Sequence, residues 1–319
     1  MTLFILRRLV VCAAIVLVMS IVVFLAVYAM PGNVAYVILG EYATPADVAA
    51  LEAQLGLSDP LWMQYGRWIS AALHGDLGMS LSMDQPVAPL LFEALGRSAV
   101  LGAICLPLIA VIGIGLGVWA GAKRGSLLDQ VLTMIQYTFV AIPEFVWCIL
   151  AVVVFAGWLR WLPATAGSAF SDGGAFGWIR YLIMPIITLV LGYIAHISRM
   201  TRSSVIEVLG TSYILAARAK GFGSRRILIR HALPNALLPA ITILALDVGS
   251  LIGGIVVVET IFAYPGIGWL LVYGVSHHDI PLIVPAILIV TAIYAVSNLA
   301  ADVLYALIDP RIRHAGAAL

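Results

Sequence analysis

Six stretches of the chain are long and apolar enough to be solvated by lipid, and that pattern leaves few folds open. A helix rising about 1.5 Å per residue needs about 20 apolar residues to cross a hydrocarbon core of roughly 30 Å. Leu9 to Met30 and Ser98 to Ala122 carry no charge. Gln130 to Gly157 carries only Glu144, Tyr181 to Ser198 only His196, Ala232 to Val258 only Asp247, and Ile280 to Ile308 only Asp302. Over all 319 residues only 10% are charged and 63% are hydrophobic, whereas a soluble domain is about a quarter charged. A water-soluble globular fold is excluded. Arg7 and Arg8 before the first run resemble the start of a secretory signal, but the run exceeds the roughly 7 to 15 apolar residues of a signal core. It is predicted to be an uncleaved span.

Net charge is near zero, and no basic stripe points to nucleic acid. The distribution of charge is more informative. With the N-terminus inside, thirteen of the 17 Lys and Arg residues fall on the cytoplasmic side. They are Arg7, Arg8, Lys123, Arg124, seven residues between Arg199 and Arg230, Arg311 and Arg313. This is the positive-inside pattern. It predicts six transmembrane helices with both termini cytoplasmic.

Two connections are too long to be turns. Residues 31–97 form an outer connection with two helix-start signals, Thr44-Pro45-Ala46-Asp47 and Asp59-Pro60, and a Gly75-Asp76-Leu77-Gly78 turn. A small helical cap is expected there, with Trp62, Tyr65 and Trp68 either lying at the membrane interface or docking an external partner. The second, Arg199 to His231, holds seven basic residues. It reads as helix, turn, helix: Ser203 to Leu209 ending at Gly210, then Thr211 or Ser212 opening a helix through Lys220 that Gly221 stops, then a stretch from Ser224 to His231. A basic loop that only sets topology needs no small residues at Ala216, Ala217 and Ala219 beside a helix-ending glycine. That pattern builds a compact knob suited to insertion into another protein. The domain boundaries expected are 1–30 for the first span, 31–97 for the cap and 98–319 for a five-helix core whose cytoplasmic loop spans 199–235.

No Walker-type Gly-x-x-x-x-Gly-Lys-Ser/Thr occurs, so the chain is not expected to cradle nucleotide phosphates. Neither His-Glu-x-x-His nor Gly-x-Ser-x-Gly is present, and no nucleophile and base suggest an enzyme. Cys12, Cys105 and Cys148 lie inside apolar runs and read as packing residues. Ionisable groups within spans are functional candidates, because each costs a few kcal/mol at the bilayer centre. Glu144 follows Pro143 at an expected kink, and Asp247 precedes Gly249 and Gly253-Gly254, where helices can approach closely. Each either lines a polar pathway or makes an interhelix hydrogen bond; Glu259 is counted with them as a pathway candidate. Asp302 and Asn298, one turn apart, read as structural. His277-His278-Asp279 offers transition-metal ligands, but consecutive residues rarely converge on one ion, and no metal site is assigned.

The knob also carries a resemblance. Tyr213-Ile214-Leu215-Ala216-Ala217-Arg218-Ala219-Lys220-Gly221, followed by His231-Ala232-Leu233-Pro234-Asn235, resembles the EAA-type cytoplasmic loop of ABC importer permeases. Further motifs resemble the first-permease subunit of the dipeptide/oligopeptide (and nickel) branch. They are Pro31-Gly32-Asn33, Leu55-Gly56-Leu57-Ser58-Asp59-Pro60, Gly75 to Ser80, Glu259 to Gly268 and Asp309-Pro310-Arg311-Ile312-Arg313, in order along the chain. The sequence departs from the branch at Leu215, which stands where the EAA glutamate is usual, at Asn33 in place of Asp, and at His277-His278 in place of basic residues. The resemblance implies an all-α type I ABC importer permease fold in the inner membrane of a prokaryote. It implies pairing with a second homologous permease, two cytoplasmic ATPases that hold ATP and Mg, and an extracytoplasmic binding protein, with no cofactor in this chain. The residues implied to couple to the ATPase are Tyr213, Leu215, Ala216, Ala217, Arg218, Ala219, Lys220 and Gly221. The cargo implied is peptide, and the same machinery in relatives carries nickel chelates, glutathione or other small solutes. A stand-alone secondary transporter or channel, with Glu144 and Asp247 coupling ions, is the reading from another class.

Overall fold

The computed structural model describes residues 2–28, 44–46, 49, 59–170 and 177–308. Among these, every regular element is helical, and the only β pairing is an isolated antiparallel bridge between Met79 and Pro86. We number the helices α1 (Thr2–Tyr28), α2 (Leu61–Leu73), α3 (Val87–Ala122), α4 (Leu127–Ala141), α5 (Glu144–Trp158), α6 (Ile179–Leu209), α7 (Ser212–Ala219), α8 (Ser224–Ile261), α9 (Ile267–Ser276) and α10 (Ile280–Ile308). Five of them are long and apolar enough to cross a membrane, and a sixth span exists if α4 and α5, bent by 99° at their junction, count as one. Most of the expected helix after Thr44, the motifs Pro31-Gly32-Asn33, Leu55 to Ser58 and Asp309 to Arg313, and the cations Arg311 and Arg313 lie outside the described residues.

The chain divides into two compact units. One contains Ala99–Tyr264 and the stretch from Ser297 onward; the other contains Thr2–Ser98 and Pro265–Val296.

In the first unit α6 is the central element, packed along α3 and α8. Its approach to α3 is set by glycine. A Cβ on Gly117 would lie 2.5 Å from the Ser198 carbonyl oxygen and from Thr201 Cβ. One on Gly121 would lie 2.9 Å from Val205, and one on Gly113 3.1 Å from Ile197. Glycines four residues apart thus form a groove along α3 into which α6 settles. In lipid such close backbone packing replaces the hydrophobic drive available in water. Pro107 lies inside α3, and a π-helical turn at Ile109–Gly113 follows it, the local adjustment by which a proline is absorbed within a helix. Leu101, Cys105, Ile109, Cys148, Leu189, Ile197, Val258 and Phe262 belong to the buried core of this unit.

Several helices run further than their apolar stretches: α1 starts at Thr2, and α3 starts at Val87, so the expected boundary at 97/98 falls inside a helix. α6 continues through Arg199, Arg202 and Glu207 to Gly210, so Ser203 to Leu209 is the end of the span rather than a separate helix. α8 joins the stretch from Ser224 to the span beyond Ala232 through a π-helical turn, Ile227–Ala232, into one helix of 38 residues. Pro234 is accommodated just after that turn, near the start of the regular α-helix. Arg202, counted as an orientation signal, has a definite partner. Its Nε and an Nη donate to the two Asp129 carboxylate oxygens at 2.6 and 2.9 Å, and Asp129 also accepts from the Gly125 N–H at 2.9 Å.

In the second unit, Ser20 and Tyr65 share a hydrogen bond of 2.7 Å between hydroxyls, and Phe24 meets the Tyr65 ring edge-on at 5.4 Å. Trp68 packs beside Val23, Val27 and Ile283, while Trp62 is 72% exposed. The 75–78 turn forms as expected: both glycines are left-handed, with φ of +86° and +82°, and the Asp76 carboxylate accepts from the Gly78 N–H. Asp279 turns inward, wholly buried. One of its oxygens accepts from the Ser80 hydroxyl at 2.6 Å, the Ser82 hydroxyl at 2.7 Å and the Ser82 N–H at 3.0 Å. Burial alone would push this carboxyl up, but those donors outweigh it and hold Asp279 below the usual carboxylate range.

Candidate functional sites

The knob is α7 with its flanking turns. Gly210 closes α6 and Thr211 stands at the N-cap, although its hydroxyl donates back to the Val208 carbonyl at 2.6 Å. At the other end Gly221 takes φ +81°, the left-handed stop that its sequence position anticipates. The helix has one buried edge. Ile214 and Ala217 are enclosed with Ile227 and Ala232, while Val208, Leu209, Phe222 and Leu228 pack around them. Tyr213, Leu215, Ala216, Arg218, Ala219, Lys220 and Gly221 are exposed. Of the eight residues expected to couple, therefore, Ala217 shapes the knob from within and the other seven form its surface.

The knob is also tethered to α8. The Tyr213 hydroxyl donates to the His231 carbonyl at 3.2 Å and accepts from the Asn235 side-chain amide at 2.9 Å. The His231 ring stacks on Phe222 at 5.5 Å, and the Arg226 guanidinium lies 4.7 Å over the same Phe222 ring. These contacts bind α7 to the base of a span that runs on to Ile261.

The second site lies where α4 and α5 part. Ile142 is extended, as a residue before proline is biased to be, and Glu144 opens α5 directly after Pro143. A cavity of about 320 Å³ lies beside this break, lined by Phe139, Glu144, Trp147, Tyr193, His196, Asp247 and their neighbours. Two of the three pathway candidates therefore share one cavity. Asp247 Oδ2 lies 3.0 Å from His196 Nδ1. Glu144 Oε1 is buried and has no hydrogen-bond partner among the described residues. The carboxylate is seated on α8 at Gly254, where a Cβ would lie 2.9 Å from both of its oxygens. Within the small-residue stretch, then, Gly254 makes the room, while Gly253 faces open space.

Glu259 stands apart from this cavity. It is wholly buried, twelve residues beyond Asp247 on the same helix, about 18 Å along the axis. His196 is the one side chain of its apolar run that can carry a charge near neutral pH. The His277-His278-Asp279 cluster does not converge: His277 Nδ1 faces the Tyr273 carbonyl at 2.8 Å, and Asp279 is taken up by Ser80 and Ser82. Among the described residues no three His, Cys, Asp or Glu side chains gather as metal ligands do.

Residues 113–314 match the family model described as the binding-protein-dependent transport system inner membrane component, and residues 1–105 match its N-terminal companion. The chain is 37% identical over 314 residues to a probable peptide ABC transporter permease protein, y4tP, of Sinorhizobium fredii, covering 98% of this chain and 100% of that one. It is 37% identical over 327 residues to the dipeptide transport system permease protein DppB of Alkalihalophilus pseudofirmus, covering 97% and 98%. To DppB of Escherichia coli K12 it is 33% identical over 336 residues, covering 98% of each. Among solved structures, an inward-facing conformation of the MetNI methionine ABC transporter aligns with a TM-score of 0.56 at 19% identity, over 69% of this chain and 96% of that one. This likeness is one of fold.

Proposed function

The chain belongs to the family of inner membrane components of binding-protein-dependent transport systems, multi-pass permeases of the bacterial inner membrane, and on that premise we propose that it forms half of the translocation pathway of a peptide importer. The names of its relatives support peptides as cargo. In this reading the chain is non-catalytic. A second, homologous permease completes the pathway, an extracytoplasmic binding protein delivers the peptide, and two cytoplasmic ATPases hold ATP and Mg. Both termini lie in the cytoplasm, as the distribution of Arg and Lys favours. The connection between the first two spans, of which residues 59–97 are described without a break, then lies on the outer side, and the 199–235 loop faces the ATPase.

The observation that carries the mechanism is the tether of α7 to α8. A docking helix transmits motion only if it is joined to the pathway-forming helices by more than a flexible loop. Here Ile214 and Ala217 are buried against the start of α8, and Tyr213 bonds to His231 and Asn235. ATP-driven closure of the ATPases moves the knob as a body, and the attached spans switch the cavity from inward-facing to outward-facing.

The test is Ala216→Trp, which adds bulk to the exposed face without disturbing the buried edge. The protein should insert and fold as before, lose its co-purifying ATPase subunits, and lose vanadate-sensitive peptide uptake. Normal uptake with ATPases retained would show that this face does not dock.

A further inference from the structure

The cavity at the α4–α5 break contains two carboxylates, one imidazole and no Lys or Arg in its lining. Asp247 is matched by His196 at 3.0 Å. Glu144 is only half-buried as a residue, but its Oε1 is buried without a partner among the described residues. A carboxylate withdrawn from water is costly unless a donor or cation meets it. The carboxylate nonetheless rests close against the helix opposite, where a Cβ at Gly254 would lie 2.9 Å from both oxygens and would have to push this side chain aside. A group positioned this closely and left without a donor fits a visiting cation.

The remaining lining narrows the kind of cation. A hard ion such as Ca²⁺ or Mg²⁺ requires about six or more oxygen ligands and a zinc-like ion about four ligands with at least three from protein side chains, and no three ligating side chains converge among the described residues. An organic ammonium requires much less: one carboxylate to accept its hydrogen bonds, and aromatic faces to which a cation is drawn. Phe139 and Trp147 lie ring to ring at 4.7 Å in the cavity wall, with Tyr193 also in the lining. The volume of about 320 Å³ is within the size range of small-molecule pockets.

We propose that this cavity is a transit site for the ammonium group of the cargo, with Glu144 as the acceptor and the Phe139, Trp147 and Tyr193 rings as its walls. The proposal rests on the peptide reading above and identifies the ammonium with the amino terminus of the peptide. Lysine side chains share that chemistry, and the experiment separates the two sources.

The assembled importer, purified in detergent without its binding protein, is titrated with three radiolabelled probes. Dialanine has a free α-ammonium, N-acetyl-dialanine has none, and N-acetyl-alanyl-lysine has one only on its side chain. Dialanine should bind at least tenfold more tightly than either acetylated probe. Glu144→Gln, which preserves side-chain size, should abolish that preference while the complex still assembles with its ATPases. Asp247→Asn, at a carboxylate already engaged by His196, should weaken dialanine binding less. If Glu144→Gln binds dialanine as the wild type does, if acetylation changes nothing, or if dialanine does not bind, the site is wrongly assigned. If N-acetyl-alanyl-lysine binds as tightly as dialanine, the assignment to the amino terminus is wrong. Dialanine uptake by vesicles containing the wild-type importer, its binding protein and ATP provides the separate arm. Uptake with any of the failures above removes the ammonium site and leaves the peptide reading standing, whereas absence of peptide uptake removes both.

Discussion

Arg202 donates from both Nε and Nη to the two carboxylate oxygens of Asp129, at 2.6 and 2.9 Å, fastening the first turn of α4 to α6 just ahead of the knob. The Asp129 side chain is only 3% exposed and that of Arg202 27%, so removing one partner strands a poorly solvated charge. Breaking a buried pair costs about 3–5 kcal/mol, and the partial exposure of Arg202 brings the expectation to about 2–3 kcal/mol. Asp129→Ala should lower the melting temperature of the detergent-solubilised protein. Arg202→Lys should recover only part of the loss, because an ammonium cannot reproduce the two-pronged contact. Melting curves of the two variants that superimpose on the wild type would show the pair to be dispensable.

The glycine groove of α3 predicts a contrast between neighbours. Gly117→Ala places a methyl group 2.5 Å from the Ser198 carbonyl, whereas a Cβ at Gly115 meets nothing within 4 Å. Overpacking of this kind costs about 1–3 kcal/mol, and here the obstacle includes backbone, which yields little. Gly115→Ala should therefore fold and melt as the wild type does, while Gly117→Ala should lose thermal stability and yield. Equal melting temperatures for the two would contradict the close approach of α3 and α6.

Asp279 gives a pH dependence with a definite sign. Its carboxyl is held below the usual range, because the Ser80 and Ser82 donors outweigh burial. Its contribution to stability is thus complete above the unfolded carboxylate pKa of about 4. It disappears as pH falls through the lower folded value. Asp279→Asn should be less stable at neutral pH, by about 1–3 kcal/mol for the donors left unmatched. The gap between variant and wild type should narrow on acidification below about pH 4. Thermal melts at several pH values test this, and a gap that stays constant would exclude the linkage.

Tyr213→Phe removes both tether hydrogen bonds while keeping the ring. Each neutral hydrogen bond is worth about 1 kcal/mol, so the knob should still fold on Ile214 and Ala217. Peptide uptake per ATP hydrolysed should fall several-fold with ATPase binding preserved. Measuring transport and hydrolysis together in proteoliposomes decides it, since an unchanged ratio would mean that the tether transmits nothing.

What could be read from the chain beforehand follows the physics of each feature. Spans with little or no charge are conspicuous because lipid tolerates few alternatives, so the described parts of five of the six apolar runs lie within single long helices, while Gln130 to Gly157 breaks into α4 and α5. Their ends were less legible. α6 continues past Ser198 through Ser and Arg residues, where no apolar run marks a helix, and α8 passes through Pro234 after a π-turn. Local signals also located the knob: Gly221 needed a left-handed conformation, and Ala217 needed to be small. Partners distant in sequence were not legible. Nothing local links Asp129 to Arg202, or Glu144 to Gly254, because those pairings depend on how helices are placed against one another. The repeat of Gly113, Gly117 and Gly121 is visible as a four-residue spacing, and His196 as the one side chain in its apolar run that can be charged near neutral pH. Either would have directed attention to α6.

The uninterrupted course of α8 has a mechanical consequence. From Ser224 beside the knob to Asp247 at the cavity is 23 residues of one helix, an arm of about 35 Å at the usual helical rise. A tilt of about 5° applied at one end displaces the other by about 3 Å, comparable to the length of a hydrogen bond. A small rocking of the basic end is therefore enough to open or close contacts around Glu144 and His196. The helix works as a crank whose throw matches the scale of the bonds it has to make and break.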